Sequence, residues 1–350
     1  MPSARAEARL EFAVRHGGIA NPRIVPASSD ASFRSYWRVG PSEASGATHP
    51  QGSHIIMDAP VGKEDLGPWI DVDQRLRAAG LHAPEIFAVD AARGFVLIED
   101  LGVRTYLPEL NTVSVEILYA DALDALLRMQ MRVDSAGLPD YDRTHLVAEM
   151  ELLPEWFLSR HLGVTPTCDE WDTIEAAQTL LVRAALEQPR TFVHRDYHSR
   201  NLLIVDDNNP GVIDFQDAVV GPLTYDLVSL LRDCYIDWDS ARIDGWVEDY
   251  RRRLVDADLL GSDVGGAHFR RWFDLMGVQR HLKVLGIFCR LWYRDGKRAY
   301  LAELPRVWHY TLAVAAHYPE LADFIALLQR AVGKRDLTRA NVVARSDIDA

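Results

Sequence analysis

The sequence predicts an α+β chain of two lobes, a strand-rich N-terminal lobe followed by a mainly helical C-terminal lobe. Three observations predict it. The chain has 350 residues, more than the roughly 250 at which a single core usually divides. Through the first hundred residues the apolar runs are short and bounded by Gly, Pro, Ser and Asp, as strands are. From about Thr112 onward apolar residues recur at helical spacing, as at Tyr119, Leu123, Leu126 and Leu127. We place the lobes at 1–101 and 102–333, with a polar tail at 334–350.

Taken in order, Ser3 is the N-cap of a helix over 3–16. After Pro22, short strands at 24–25 and 36–39 flank a polar loop, Ser28-Ser29-Asp30-Ala31-Ser32. A loop rich in Gly, Pro and Ser over 40–53 leads to a third strand at 54–57. A helix over 66–79 stops at Gly80, and strands at 85–89 and 95–99 follow, joined by a turn. Residues 100–112 link the lobes. Helices fill the rest, one of them marked by Ile174, Ala177, Leu181, Ala184 and Ala185. The exception is 191–215, where β-type runs at 191–193, 202–205 and 211–213 carry polar clusters. Helices resume over 225–233 and continue to about residue 330.

The formal charge of −13 excludes a general nucleic-acid binder, which needs a basic face against phosphates. It leaves room for a local basic pocket. Three cysteines, Cys168, Cys234 and Cys289, lie far apart with no CxxC pair. Neither a zinc site nor a disulfide framework follows, and the thiols read as the reduced residues of a cytosolic protein. The N-terminus has no apolar core of a signal peptide, and no run approaches 18 apolar residues. The expectation is a cytoplasmic protein with no membrane and no nucleic-acid partner.

The chemistry sits in 192–204, which contains His194-Arg195-Asp196 and, five residues after Asp196, Asn201. Thirteen residues further on comes Asp214, in Val212-Ile213-Asp214-Phe215-Gln216. Phosphoryl transfer needs this set: one aspartate facing the attacking hydroxyl, and an asparagine oxygen and a second carboxylate holding magnesium against nucleotide phosphates. Magnesium takes hard oxygen ligands and few protein groups, which suits one Asn and one Asp. Singly each residue has a plainer reading as a turn or cap. The bracketing apolar runs and the spacing favour the joint one.

These motifs resemble the aminoglycoside phosphotransferase family, small-molecule kinases with the two-lobed protein-kinase-like fold, over roughly residues 20–330. The resemblance implies ATP and Mg2+ as cofactors, Asp196 as catalytic aspartate, and Asn201 and Asp214 as magnesium ligands. It makes His194 a buttress of the catalytic loop and Asp226 a buried tie between that loop and the next helix. Asp226 reads equally well as a simple helix N-cap. Glu99 and Leu101, in Val96-Leu97-Ile98-Glu99-Asp100-Leu101-Gly102, match the segment joining the lobes, whose backbone bonds adenine. Asp30-Ala31-Ser32-Phe33-Arg34, Ile56-Met57-Asp58-Ala59-Pro60, Phe215-Gln216-Asp217-Ala218 and 279–288 are similar to one subgroup, the bacterial anomeric sugar kinases of cell-wall recycling. Those phosphorylate N-acetylmuramate and N-acetylglucosamine at the anomeric hydroxyl.

The pattern departs from the family at one place. A lysine on the third strand usually orients the α- and β-phosphates; here Met57 stands at that position. Lys63, Arg34 and Arg38 are the nearby cations, and we favour Arg34. Without a Gly-x-Gly-x-x-Gly loop, Ser29 and Ser32 are the candidates to meet the phosphates, with Ser28 beside them. Asp217 is a turn cap or a second contact at the site. For the acceptor, Glu149, Glu151 and Trp156 are candidates to bind hydroxyls and stack on a ring. Arg280 and Lys283, one helical turn apart, are candidates to face an anion. The competing readings are a kinase of an aminoglycoside or choline-like amine, and a non-catalytic nucleotide-binding scaffold.

Overall fold

The computed structural model describes residues 3–19, 21–29, 33–41 and 52–341. In chain order the elements are α1 (Ala4–His16), β1 (Arg23–Ser29), β2 (Ser35–Gly40), β3 (His54–Asp58), α2 (Gly67–Ala78), β4 (Ile86–Asp90) and β5 (Phe95–Glu99). Then come α3 (Tyr106–Glu109), α4 (Ser114–Arg132), α5 (Arg143–Met150), a π-helical segment Leu153–His161, and α6 (Cys168–Leu186). Four short strands follow: β6 (Arg190–Val193), β7 (Leu202–Leu203), β8 (Gly211–Val212) and β9 (Val219–Pro222). The chain closes with α7 (Tyr225–Leu231), α8 (Ser240–Asp256), α9 (Gly266–Tyr293), α10 (Leu304–Ala315) and α11 (Ala322–Val332), with two 3-10 turns around α10. This is the α+β arrangement the periodicities predict. The π-helical segment and β9 have no counterpart in the sequence reading.

These elements form two compact units. The first comprises residues 1–134 and 199–218, the second 135–198 and 219–350. The chain therefore passes between units within the His194–Asn201 motif, at the peptide bond after His198.

In the first unit, five antiparallel strands lie in the order β1-β2-β3-β5-β4. Strand alternation sends Trp37, Val39, Ile56, Phe95 and Leu97 to one face, where they pack on Phe12 and Ala13 of α1. The N-cap of α1 is made as the sequence predicts, Ser3 Oγ accepting from the Ala6 amide. Arg5 and Arg9 of α1 donate to the buried Asp58 carboxylate at 2.6 and 3.2 Å, so the aspartate of the Met57-Asp58 pair anchors this helix. The other face carries Tyr36, Arg38, Ile55 and Ile98, which line a cavity. Met57 is fully buried in the sheet opposite Tyr36 and Val96.

The second unit is built round α9, a 28-residue helix most of whose residues are buried. Gly286 lets it approach the chain just before the π-helical segment: a Cβ there would lie 2.4 Å from the Leu152 carbonyl. The tail is anchored as far as residue 341. Leu337 is buried, its carbonyl bonds the His161 ring, and the Asn341 amide donates to the Tyr293 hydroxyl. Among the described residues no helix is long and apolar enough to cross a membrane.

Candidate active site

The first unit holds a cavity of about 380 Å³. Its walls come from β1–β3, Trp69 of α2, the segment Ile98–Thr105, and the β7–β8 hairpin with its flanks. Apolar Ile55, Ile98, Leu101, Leu203 and Ile213 provide most of the lining, with polar groups at Glu99, Asp100, Asn201 and Asp214. Leu101 is buried, and its backbone N–H and C=O bond no described residue. They are the donor and acceptor a planar base needs. Glu99 lines the same wall, while its side chain is engaged by His82 at 3.1 Å and by the Glu85 amide. A nearby bidentate pair, Arg38 to Asp100 at 2.6 and 2.8 Å, is fastened by Ser53 and the Gly102 amide.

At the far wall, the hairpin positions Asn201 and Asp214. Leu202 pairs with Val212, the Ile213 amide donates to the Asn201 carbonyl, and Gly211 bridges to His82. Gly211 allows this because a side chain there would press on Leu101 and Val205 at about 3.1–3.2 Å. Asp214 takes a positive φ of 66°, a costly conformation for a residue with a side chain. Phe215 next to it packs on Trp69, the rings 5.2 Å apart. Asn201 Nδ2 donates to Asp214 Oδ2 at 3.2 Å, and Gln216 Nε2 to Oδ1 at 3.0 Å. The Asn201 amide oxygen and Asp214 carboxylate are hard donors, few in number. They fit a magnesium ion whose remaining ligands are water and phosphate. No three His, Cys, Asp or Glu side chains gather as a metal cage among the described residues.

The second unit holds the His194–Asp196 loop. It leaves β6, which pairs with β9, and is tied to α7 by Asp226. The Asp226 carboxylate accepts from the His194 amide at 2.6 Å and the Arg195 amide at 3.0 Å, and it is fully buried. Burial pushes this carboxyl up to about 7 against the pull of both amides. Thr224, not Asp226, occupies the α7 N-cap. The His194 ring, also fully buried, accepts from the Asp196 amide through Nδ1 at 3.2 Å. Arg195 has φ 77°, strain that the Asp226 bond and a charged contact with Glu149 hold in place.

Around Asp196 stands a cluster the sequence reading did not assemble. Glu149 of α5 accepts from Arg195, from the Tyr141 hydroxyl, and from Lys283 at 2.9 Å. Lys283 also donates to the Tyr225 hydroxyl at 3.0 Å. Arg280, one turn back on α9 and 3% exposed, donates to the Cys234 sulfur at 3.4 Å. Burial alone would raise the Asp196 carboxyl, but Lys283, His198, Arg280 and His194 outweigh it and hold it below the usual carboxylate range. The signal that finds Arg280 and Lys283 in sequence is their helical spacing; nothing in the sequence pairs Lys283 with Glu149.

The other candidates fall elsewhere. Glu151 takes a hydrogen bond from Gln178 of α6, and Trp156 is half-buried on the π-helical segment. Arg34 is buried but does not line the cavity, whereas Arg38 does. Lys63 sits over the Phe33 ring at 4.7 Å. Ser32 and the side chains of Ser28 and Ser29 lie outside the described residues.

A model of the phosphotransferase enzyme family matches residues 23–260. The chain is 45% identical over 312 residues to the N-acetylmuramate/N-acetylglucosamine kinase of Pseudomonas putida, covering 89% of each. To the protein of that name from Pseudomonas aeruginosa it is 44% identical over 316 residues, again 89% of each. Among solved structures, Plasmodium vivax ethanolamine kinase superposes with a TM-score of 0.59 at 10% identity, covering 89% of this chain and 90% of that one. That likeness concerns the fold alone. With the family model spanning most of the chain, Asp196, Asn201, Asp214 and Asp226 included, the chain belongs to the phosphotransferase enzyme family.

Proposed function

We propose that this phosphotransferase uses ATP and magnesium to phosphorylate the anomeric hydroxyl of N-acetylmuramate and N-acetylglucosamine, as a cytoplasmic step of peptidoglycan recycling. The names of the relatives support the two sugars. The observation that carries the reading for this chain is the set of cations about Asp196, two of them buried. Arg195, Lys283 and Arg280 share the environment of Asp196 and Glu149. Such a site repels a cationic acceptor, an aminoglycoside or a choline-like amine, and accepts a neutral or anionic sugar.

The residues divide the work. Leu101 and the apolar lining hold the base, the Arg38–Asp100 pair fixes the wall beside Leu101, and Asn201 and Asp214 hold magnesium. When bound, the ion neutralises phosphate charge and orients the terminal phosphoryl group. Asp196 orients the attacking hydroxyl and takes its proton. A carboxylate held below its usual range is a weak base, which suits the anomeric hydroxyl, the most acidic of the sugar. His194 and Asp226 keep the loop in register, so that the hydroxyl is pre-positioned rather than found by diffusion.

The methyl glycoside of N-acetylglucosamine tests the site of transfer, because every hydroxyl but the anomeric one remains. We expect no phosphorylation of it in a coupled assay that registers turnover of the free sugar. Efficient phosphorylation of the glycoside moves transfer to another hydroxyl and leaves the kinase assignment standing. ATP binding without turnover of any sugar, amine or aminoglycoside in such a panel points instead to a scaffold.

A further inference from the structure

Arg280 is a buried guanidinium in direct contact with no carboxylate, Asp196 acting on it only at longer range. It is 3% exposed, it donates to the Cys234 thiol at 3.4 Å, and its Nε has no partner. It makes no ion pair among the described residues, although the chain carries 51 acidic side chains. A thiol is a weak acceptor, and a guanidinium does not shed its proton to escape burial. A buried cation left this way is costly unless an anion arrives to complete it.

Its surroundings say where that anion sits. Cys234 precedes Tyr235, whose ring meets His198, two residues past Asp196, at 5.5 Å. On the other side of Asp196, Lys283 reaches Arg195 through their shared Glu149. Helix α9 thus carries both cations, Lys283 linked to the residue before Asp196 through Glu149, and Arg280 linked through Cys234 and Tyr235 to His198, two residues after it. Lys283 is already matched by Glu149 and Arg280 is not. Arg280 and Asp196 are close enough to shift one another's ionisation. The strand position where a lysine would orient the nucleotide phosphates is filled by buried Met57.

We propose that Arg280 is a catalytic residue that seats the phosphoryl group in flight and, after transfer, the phosphate of the sugar 1-phosphate. The inference rests on the kinase reading above. In the step, a lone pair of the anomeric oxygen forms the new bond to the γ-phosphorus. The bond from that phosphorus to the β,γ-bridging oxygen breaks, its electron pair leaving on ADP, and the hydroxyl proton passes to Asp196. The oxygen next to Asp196 is the one that bonds phosphorus, so a cation flanking Asp196 meets the phosphoryl oxygens. A guanidinium fits them with paired N–H donors. A seat for the lactyl carboxylate would serve only one of the two sugars; a phosphoryl seat serves both.

The test compares wild type, Arg280→Gln and Arg280→Lys with both sugars. It reads kcat and sugar KM, calorimetric binding of N-acetylglucosamine and N-acetylglucosamine 1-phosphate, and the melting temperature. We expect Arg280→Gln to lose about 10²–10³-fold in kcat with both sugars, the scale of one transition-state donor, while sugar KM changes little. Binding of the 1-phosphate should weaken at least about tenfold more than binding of the free sugar, and Arg280→Lys should recover part of both losses. The melting temperature should hold or rise, since an unmatched buried charge is removed; a purely structural arginine would lower it. A loss confined to N-acetylmuramate and expressed in KM overturns the proposal in favour of a carboxylate seat. So do wild-type activity in Arg280→Gln, or 1-phosphate affinity unchanged in the lysine variant and the glutamine variant alike. If wild type turns over neither sugar, the kinase reading falls and the inference with it. If only the variants behave as wild type, the inference alone falls.

Discussion

Asp196→Asn lowers kcat by about two to four orders of magnitude, the range lost with a positioned general base, and leaves ATP affinity unchanged. The substitution keeps the size of the side chain and removes its charge and its capacity to take a proton. The residues assigned to the nucleotide, Leu101, Asn201 and Asp214, are untouched by the substitution, so binding is spared. Steady-state turnover and a nucleotide titration read the two effects separately. A variant keeping more than about a tenth of wild-type turnover removes Asp196 from the reaction, because a base worth so little lies below that range. The pH profile adds a sign. The Asp196 carboxyl is held below its ordinary range, so it stays ionised as pH falls through 7. It therefore contributes no acid limb to kcat between about pH 5 and 8.

Asp214→Ala acts on the opposite substrate. It removes the only carboxylate assigned to magnesium and with it one hydrogen bond each from Asn201 Nδ2 and Gln216 Nε2. Several kcal/mol of charge stabilisation depend on such an ion. We expect kcat/KM for Mg·ATP to fall at least about a hundredfold, equivalent to roughly 3 kcal/mol, with the magnesium requirement shifted to higher concentration. Sugar binding measured without nucleotide should be unchanged. A magnesium titration that superposes on wild type contradicts the role.

Much of this was legible in the sequence because local chemistry decided it. Strand boundaries at Phe95–Glu99 and the Ser3 cap follow from period and capping alone. The His194–Asn201 motif and Asp214 are recognisable because phosphoryl transfer restricts residue type and spacing together. What was not legible depends on contacts distant in sequence. Glu149 meets Arg195 and Lys283 across 46 and 134 residues, and no local pattern marks it among the carboxylates of 149–155. Asp58 reads as part of a motif, yet its partners, Arg5 and Arg9, lie on the first helix. Strand alternation turns Arg38, with Tyr36, to the cavity face, whereas Arg34 lies before β2 begins and outside the cavity lining, a placement that depends on the loop path and not on strand period. The π-helical segment has an ordinary helical sequence; its geometry goes with the close approach of α9 at Gly286.

Phosphorus NMR of the product formed from N-acetylglucosamine and Mg·ATP tests the central claim most directly. The account predicts ADP together with one sugar phosphate whose phosphorus couples to the anomeric proton and to no methylene protons. That product has no reducing end and hydrolyses in mild acid. A phosphorus coupled to the C6 methylene, or a phosphorylated sugar that still reduces, contradicts it.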